Sequence, residues 1–318
     1  MIILYIFIFI VSCALLVFSG GATVRGLIRM AQFLRWKEFV VAFILMAFAT
    51  SIPEFFVGVT AAINGIPELS LGDIFGANII NLTLAIGLAV LFLGKLEIER
   101  ETVRRNSILV AIIALLPVLL LFDGDISRID GVILLLAFVF YITWLFDRKE
   151  LFSKVYDETP EIKKKKLVEG FLRDLGIFLG SVILLLLAAH GIVKSASYFA
   201  EFIGVPVGII GILLVGAGTA LPEVYFSIRA GRAGQPGMIL GNLMGCVAIT
   251  STLVLGVVAL ICPIKIADFS PFAAARIFLL ISVLLFLFIS RTHEKISKTE
   301  AIILLLIYFV FLVFEIIL

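Results

Sequence analysis

Charge is scarce in this 318-residue sequence: 15% of its residues are Asp, Glu, Lys or Arg, against about 25% in an ordinary soluble domain. With 62% hydrophobic residues and a mean hydropathy of +1.23, that shortage excludes a soluble globular protein and a disordered one. The charges nearly cancel, 25 basic against 23 acidic, so no basic surface exists to meet a nucleic-acid backbone. Three cysteines, Cys13, Cys246 and Cys262, stand far apart in apolar stretches. They make neither a disulfide framework nor a zinc or redox spacing. What the chain has in plenty is long hydrophobic runs.

A helical membrane span needs about 20 mostly apolar residues. Ten such runs fall near 2–24, 38–63, 71–94, 106–122, 129–146, 175–198, 205–230, 237–262, 272–290 and 300–318. The first lacks a basic start and a cleavage site, so it reads as a retained span rather than a signal peptide. The only long polar stretch, 147–170 with Lys163–Lys166, separates two groups of five. The expected organisation is therefore a first half at 1–146, a linker loop at 147–170 and a second half at 171–318. With the N-terminus outside, 21 of the 25 basic residues lie in connections after odd-numbered spans. Only Arg128, Lys194, Lys265 and Arg276 fall on the other side. By the positive-inside rule both termini are outside and the central loop is cytoplasmic.

Shifting the sequence by 169 positions superimposes two segments without a gap. Ala49-Thr50-Ser51-Ile52-Pro53-Glu54 meets Gly218-Thr219-Ala220-Leu221-Pro222-Glu223. Gly72, Gly76, Thr83 and Gly87 then meet Gly241, Gly245, Thr252 and Gly256. Each copy has an odd number of spans, so the second enters the membrane from the opposite face. The expected fold is an all-α polytopic membrane protein, ten transmembrane helices arranged as two inverted five-helix repeats. Secondary transporters are built this way, with the substrate site at the midplane between repeats.

Glu54 and Glu223 lie near the middle of spans 2 and 7. A carboxylate at that depth costs at least about 3 kcal/mol, which makes it a functional candidate by default. Pro53 and Pro222 donate no backbone hydrogen bond, and both helices are expected to break near Thr50 and Thr219. Freed carbonyls, threonine hydroxyls and one carboxylate per repeat form an all-oxygen environment suited to hard cations. In the following spans, Gly72-x-x-x-Gly76 and Gly241-x-x-x-Gly245 permit close helix packing. Asn78 and Asn81 share one helix face, and Asn81 matches Thr250 in the second copy. Asp73 and Asn242 also match, and are expected nearer the helix entrances, hydrated or capping.

These motifs resemble the two α-repeats of the cation/calcium antiporter superfamily, in particular the prokaryotic sodium/calcium exchangers. The carriers are Ala49-Thr-Ser-Ile-Pro-Glu54 with Gly72-Asp-Ile-Phe-Gly-Ala-Asn78, and Gly218-Thr-Ala-Leu-Pro-Glu223 with Gly241-Asn-Leu-Met-Gly-Cys246. The resemblance implies an antiporter that exchanges Ca²⁺ for Na⁺. Glu54 and Glu223 would chelate Ca²⁺ with oxygens of Thr50 and Thr219, while Ser51, Asn78, Asn81 and Thr250 are further candidate cation ligands. It also implies that spans 1 and 6 slide past the rest. Family positions that hold sodium-binding serines are occupied here by Ala77, Ala220 and Cys246, and the acidic or amide partner of Asn81 by Thr250. Proton coupling, which needs only the two glutamates, is therefore the alternative. No cofactor and no catalytic residue is expected.

Two other readings pair acids in a bilayer. An intramembrane aspartyl protease would use aspartates in Tyr-Asp and Gly-x-Gly-Asp patterns, which are lacking here. A cation channel assembles its acidic ring from several subunits, whereas one chain carries both acids here and would work as a monomer in the lipid bilayer. A compact chain of this kind suits a prokaryotic plasma (inner) membrane.

Overall fold

The computed structural model describes residues 1–33, 38–97, 100–146, 164–232, 236–266, 270–292 and 295–317. Among these residues ten helices follow one another. They are α1 (Ile2–Phe33), α2 (Glu38–Ile63), α3 (Pro67–Leu93), α4 (Arg100–Leu120) and α5 (Arg128–Phe146), then α6 (Lys164–Ile203) and α7 (Val207–Arg232). The eighth, α8, runs as Pro236–Ile249, Thr250–Val254 and Leu255–Ile261, and α9 (Ser270–Thr292) and α10 (Lys298–Ile317) complete the chain. Among the described residues nine of these are long and apolar enough to cross a membrane, and α2 contributes a shorter apolar stretch, Thr50–Ile63. Most of the linker expected at 147–170 lies outside the described residues. Its last seven residues belong to α6, which starts at Lys164 rather than near 175.

Two miniature strand pairs fix how the halves relate. The connection after α3 carries β1 (Leu96–Glu97) and the one after α9 carries β4 (Lys295–Ile296), and these pair antiparallel. The connections after α4 and α8 carry β2 (Asp125–Ile126) and β3 (Ile264–Lys265), which also pair. The connections after α3 and α9 thus meet each other, and those after α4 and α8 meet each other. In both pairs an apolar pair sits beside a pair of opposite formal charge: Leu96 with Ile296 and Glu97 with Lys295, Ile126 with Ile264 and Asp125 with Lys265. A shift of about 169 residues turns one pair into the other, as a pseudo-two-fold axis in the membrane plane requires. The helix starts repeat too. Ser127 and Asp130 cap α5 reciprocally, as Ser297 and Glu300 cap α10.

The same symmetry governs packing. The first half of α3 lies against the first half of α7, and α8 against α2. The second half of α3 packs on α10, as that of α8 packs on α5. Outside this eight-helix body, α1 and α6 form an antiparallel pair. Tyr5 stacks on Tyr198 with ring centroids 3.9 Å apart, Phe9 meets Phe199 edge-on, and Ser12 lies against Gly191.

Cysteines placed at Lys265 and at Lys295 are expected to react with a membrane-impermeant maleimide from opposite sides of sealed vesicles. Labelling of both from one side would contradict the inverted arrangement.

Candidate functional site

The proline rule holds for one repeat and fails for the other. In α7 the helix breaks at Ala220, between Gly216–Thr219 and Leu221–Arg232. In α2 the helix continues through Pro53, so the expected break at Thr50 does not occur. The difference follows from the residues before each proline. Positions 216 and 218 in α7 are glycines, poor helix formers, whereas α2 has Ala47 and Ala49 there. In α2, Ser51 Oγ also donates to Ala47 O at 2.9 Å.

Among the described residues three helices contain a π-turn, a form that clusters at functional positions. They are Asn81–Ala85 in α3, Gly211–Val215 in α7 and Thr250–Val254 in α8. Those of α3 and α8 begin at Asn81 and Thr250, the repeat-equivalent pair. Behind them Thr83 donates to Ile79 O and Thr252 to Ala248 O, again 169 residues apart. Each hydroxyl bonds a carbonyl four residues back, within the stretch where the helical ladder shifts register.

Between these elements sits a buried polar centre. Glu54 and Glu223 have no exposed surface. One ligand atom from each, together with Cys246 Sγ, lies within 4.8 Å of the others. Neither Glu54 oxygen has a hydrogen bond from another residue, and Glu223 Oε2, Asp73 Oδ2 and Asn81 Oδ1 are likewise unpartnered. Buried acceptors left unbonded cost about 1–3 kcal/mol each. Carboxylate oxygens of Glu54 and Glu223 brought this close together, from opposite repeats, are the arrangement expected of a cradle for a cation.

The threonines bond across the repeats. Thr219 Oγ1 donates to Asp73 Oδ1 at 2.7 Å, and Thr50 Oγ1 donates to Asn242 Oδ1 at 3.2 Å. These two bonds are repeat-equivalents. Thr219 thereby turns its hydroxyl proton toward Asp73, leaving oxygen lone pairs for the pocket, while the Thr50 hydroxyl also bonds to the Glu223 carboxylate. Asp73 and Asn242 are therefore not at hydrated helix entrances. Both are buried, and they form the walls of the site. Their match to each other in the repeat was the signal.

Of the remaining candidates, Ser51 and Asn81 reach the centre through Cys246: Ser51 Oγ is 3.2 Å and Asn81 Nδ2 is 3.5 Å from its sulfur. Asn78 and Thr250 pair with each other instead. Thr250 Oγ1 donates to Asn78 Oδ1 and Asn78 Nδ2 donates to Ser251 Oγ, both at 2.9 Å. This second cluster touches the first where Thr250 Oγ1 reaches Cys246 O. Ala77, the counterpart of Cys246, is fully buried and offers no side-chain donor. Helix α1 covers the outer side, since a Cβ on Gly218 would touch Cys13 Sγ and one on Gly20 would reach Pro53.

The profile of the family described as "Sodium/calcium exchanger protein" matches residues 4–146 and 174–317. The chain is 27% identical to sodium/calcium exchanger MaX1 of Methanosarcina acetivorans, over 96% of this chain and 97% of that one. It is 27% identical to inner membrane protein YrbG of Escherichia coli, over 86% and 85% respectively. Among solved structures, the sodium-calcium exchanger NCX_Mj soaked with 10 mM Na⁺ and zero Ca²⁺ superimposes with a TM-score of 0.66 at 26% identity, covering 98% of both chains.

Proposed function

The chain belongs to the sodium/calcium exchanger family, a family of transporters rather than enzymes, and from that premise we propose that it is a secondary antiporter exchanging Ca²⁺ for Na⁺. Glu54 and Glu223 hold the Ca²⁺, and Thr50 and Thr219 complete its shell with hydroxyl and backbone oxygens. Two bidentate carboxylates and two threonine oxygens make six ligands, within the range calcium adopts. The observation that carries this reading is the pair of buried glutamates from opposite repeats with unpartnered oxygens.

Exchange follows from charge. With both glutamates ionised the empty pocket holds about two negative charges, which are costly to occlude in a low-dielectric interior. One Ca²⁺ neutralises them, and so do two or three Na⁺ aided by neutral oxygens. The loaded carrier can reorient and the bare one cannot, so transport in one direction requires a cation in the other. Alternating access would come from the α1–α6 pair, which lies outside the strand-clamped body, moving as a unit along it. For Na⁺ the oxygen donors are Ser51, Asn81, Asn78, Thr250 and backbone carbonyls, in place of the hydroxyls missing at Ala77, Ala220 and Cys246. The distribution of basic residues favours N- and C-termini outside and the 147–170 segment in the cytoplasm of a prokaryotic cell, and the relative YrbG is named an inner membrane protein.

The test is ⁴⁵Ca²⁺ uptake into proteoliposomes loaded with Na⁺, with choline at low internal pH, or with choline at symmetric pH. Uptake driven by the outward Na⁺ gradient is expected, and none with symmetric choline. Uptake driven only by the proton gradient would transfer the coupling to the glutamates themselves. Sustained uptake without any counter-cation would contradict obligatory exchange.

A further inference from the structure

We infer that Cys246 Sγ is a third ligand atom in the Glu54–Glu223 pocket, and that the protein therefore binds thiophilic divalent cations, the class of Cd²⁺ and Zn²⁺, where it binds Ca²⁺. The inference rests on the pocket of the exchange reading and adds the sulfur of Cys246 to its two carboxylates. The sulfur is buried, lies 3.3 Å from Glu223 Oε1, to which its S–H donates, and falls within the same 4.8 Å grouping as a Glu54 oxygen. Glu54 supplies the independent observation: both its oxygens are buried and receive no hydrogen bond from another residue.

The surroundings favour sulfur as a ligand. Asn81 Nδ2 donates to Sγ at 3.5 Å, and Ser51 Oγ stands 3.2 Å away, its single proton divided between the sulfur and Ala47 O. Donors trained on sulfur are what it needs once it is anionic. When a thiophilic cation enters, the S–H bond breaks, the proton leaves to water, and the sulfur lone pair binds the metal, with no change of oxidation state. Two carboxylates and a thiolate make a mixed oxygen–sulfur shell. Such a shell suits Zn²⁺ and Cd²⁺, whereas Ca²⁺ takes oxygen ligands and gains little from sulfur. Since Ala77 occupies the equivalent place in the other repeat, the sulfur acts from one side only.

The experiment titrates Cd²⁺ into purified full-length protein carrying Cys13→Ser and Cys262→Ser, so that sulfur-to-metal charge-transfer absorbance reports Cys246 alone. Monodisperse Cys246→Ser and Cys246→Ala variants are the comparison, and Cd²⁺ inhibition of ⁴⁵Ca²⁺ uptake is measured in parallel. The band is expected with Cys246 present and absent from both variants. Whatever uptake the variants retain should need about tenfold more Cd²⁺ for half inhibition. No band with Cys246 present, or equal Cd²⁺ potency in all three, would overturn the inference. A band from protein that takes up no Ca²⁺ under any gradient would uphold it and remove the exchange reading. Uptake with no band and unchanged Cd²⁺ sensitivity would do the reverse.

Discussion

Replacing Glu54 with Gln is expected to abolish Ca²⁺ uptake while leaving the protein at least as heat-stable as its parent. Glu54 is fully buried and neither of its oxygens accepts a hydrogen bond from another residue. A structural carboxylate would be held by donors, and its neutralisation would leave those donors stranded. Here nothing is stranded. The new amide N–H₂ enters a pocket where Glu223 Oε2 and Asp73 Oδ2 are unpartnered acceptors, and one charge is removed from a crowded acidic centre. For a bound divalent ion the same change removes one of two anionic ligands in a site of reduced dielectric. That loss amounts to several kcal/mol, or at least about a hundredfold in binding. ⁴⁵Ca²⁺ uptake in proteoliposomes and thermal melting in detergent measure the two effects separately. An E54Q protein that melts much earlier, or that retains most of its uptake, would show the carboxylate to be structural.

Much of the fold was legible because the membrane imposes simple rules on sequence. Hydrophobic runs marked the spans, and the 169-residue repeat with five spans per copy required inversion, which the paired connections display. Glu54 and Glu223 stood out because a carboxylate in an apolar run has few bland explanations. Depth was less legible. Asp73 was expected near a helix entrance because hydropathy started its span at 71. The helix starts at Pro67, where a proline at the first position loses nothing, and α3 is buried from Leu69 to Thr83 where it packs against α7 and its neighbours. The π-turns at Asn81 and Thr250 have no composition of their own, and only the paired threonines behind them, Thr83 and Thr252, left a trace. Cys246 looked like a lost sodium ligand by residue type. Its position, touching Ser51, Asn81 and Glu223, is a matter of tertiary structure that spacing alone does not encode.

The close crossing of α3 and α7 yields a prediction in which one added methyl group acts with opposite sign at two glycines. In α3, a Cβ on Gly76 would overlap the backbone oxygen of Ile212, and one on Gly72 that of Gly208. Both obstacles are backbone, and Ile212 lies within the π-turn of α7, so no side chain can rotate aside and the helices must separate. Gly76→Ala should therefore cost about 3 kcal/mol, the upper part of the usual range for overpacking. It should also reduce Ca²⁺ uptake, because α3 carries Asp73, which receives the Thr219 hydroxyl from α7. Gly176 in α6 is exposed, with nothing within 4 Å of its added Cβ. There alanine only improves helix propensity, by up to about 1 kcal/mol, so Gly176→Ala should melt no earlier than the parent and transport normally. Melting temperature and uptake measured on both variants decide the matter. If Gly76→Ala melts with the parent and transports as well, the two helices do not cross at van der Waals contact, and the wall that sets Thr219 against Asp73 is not rigid.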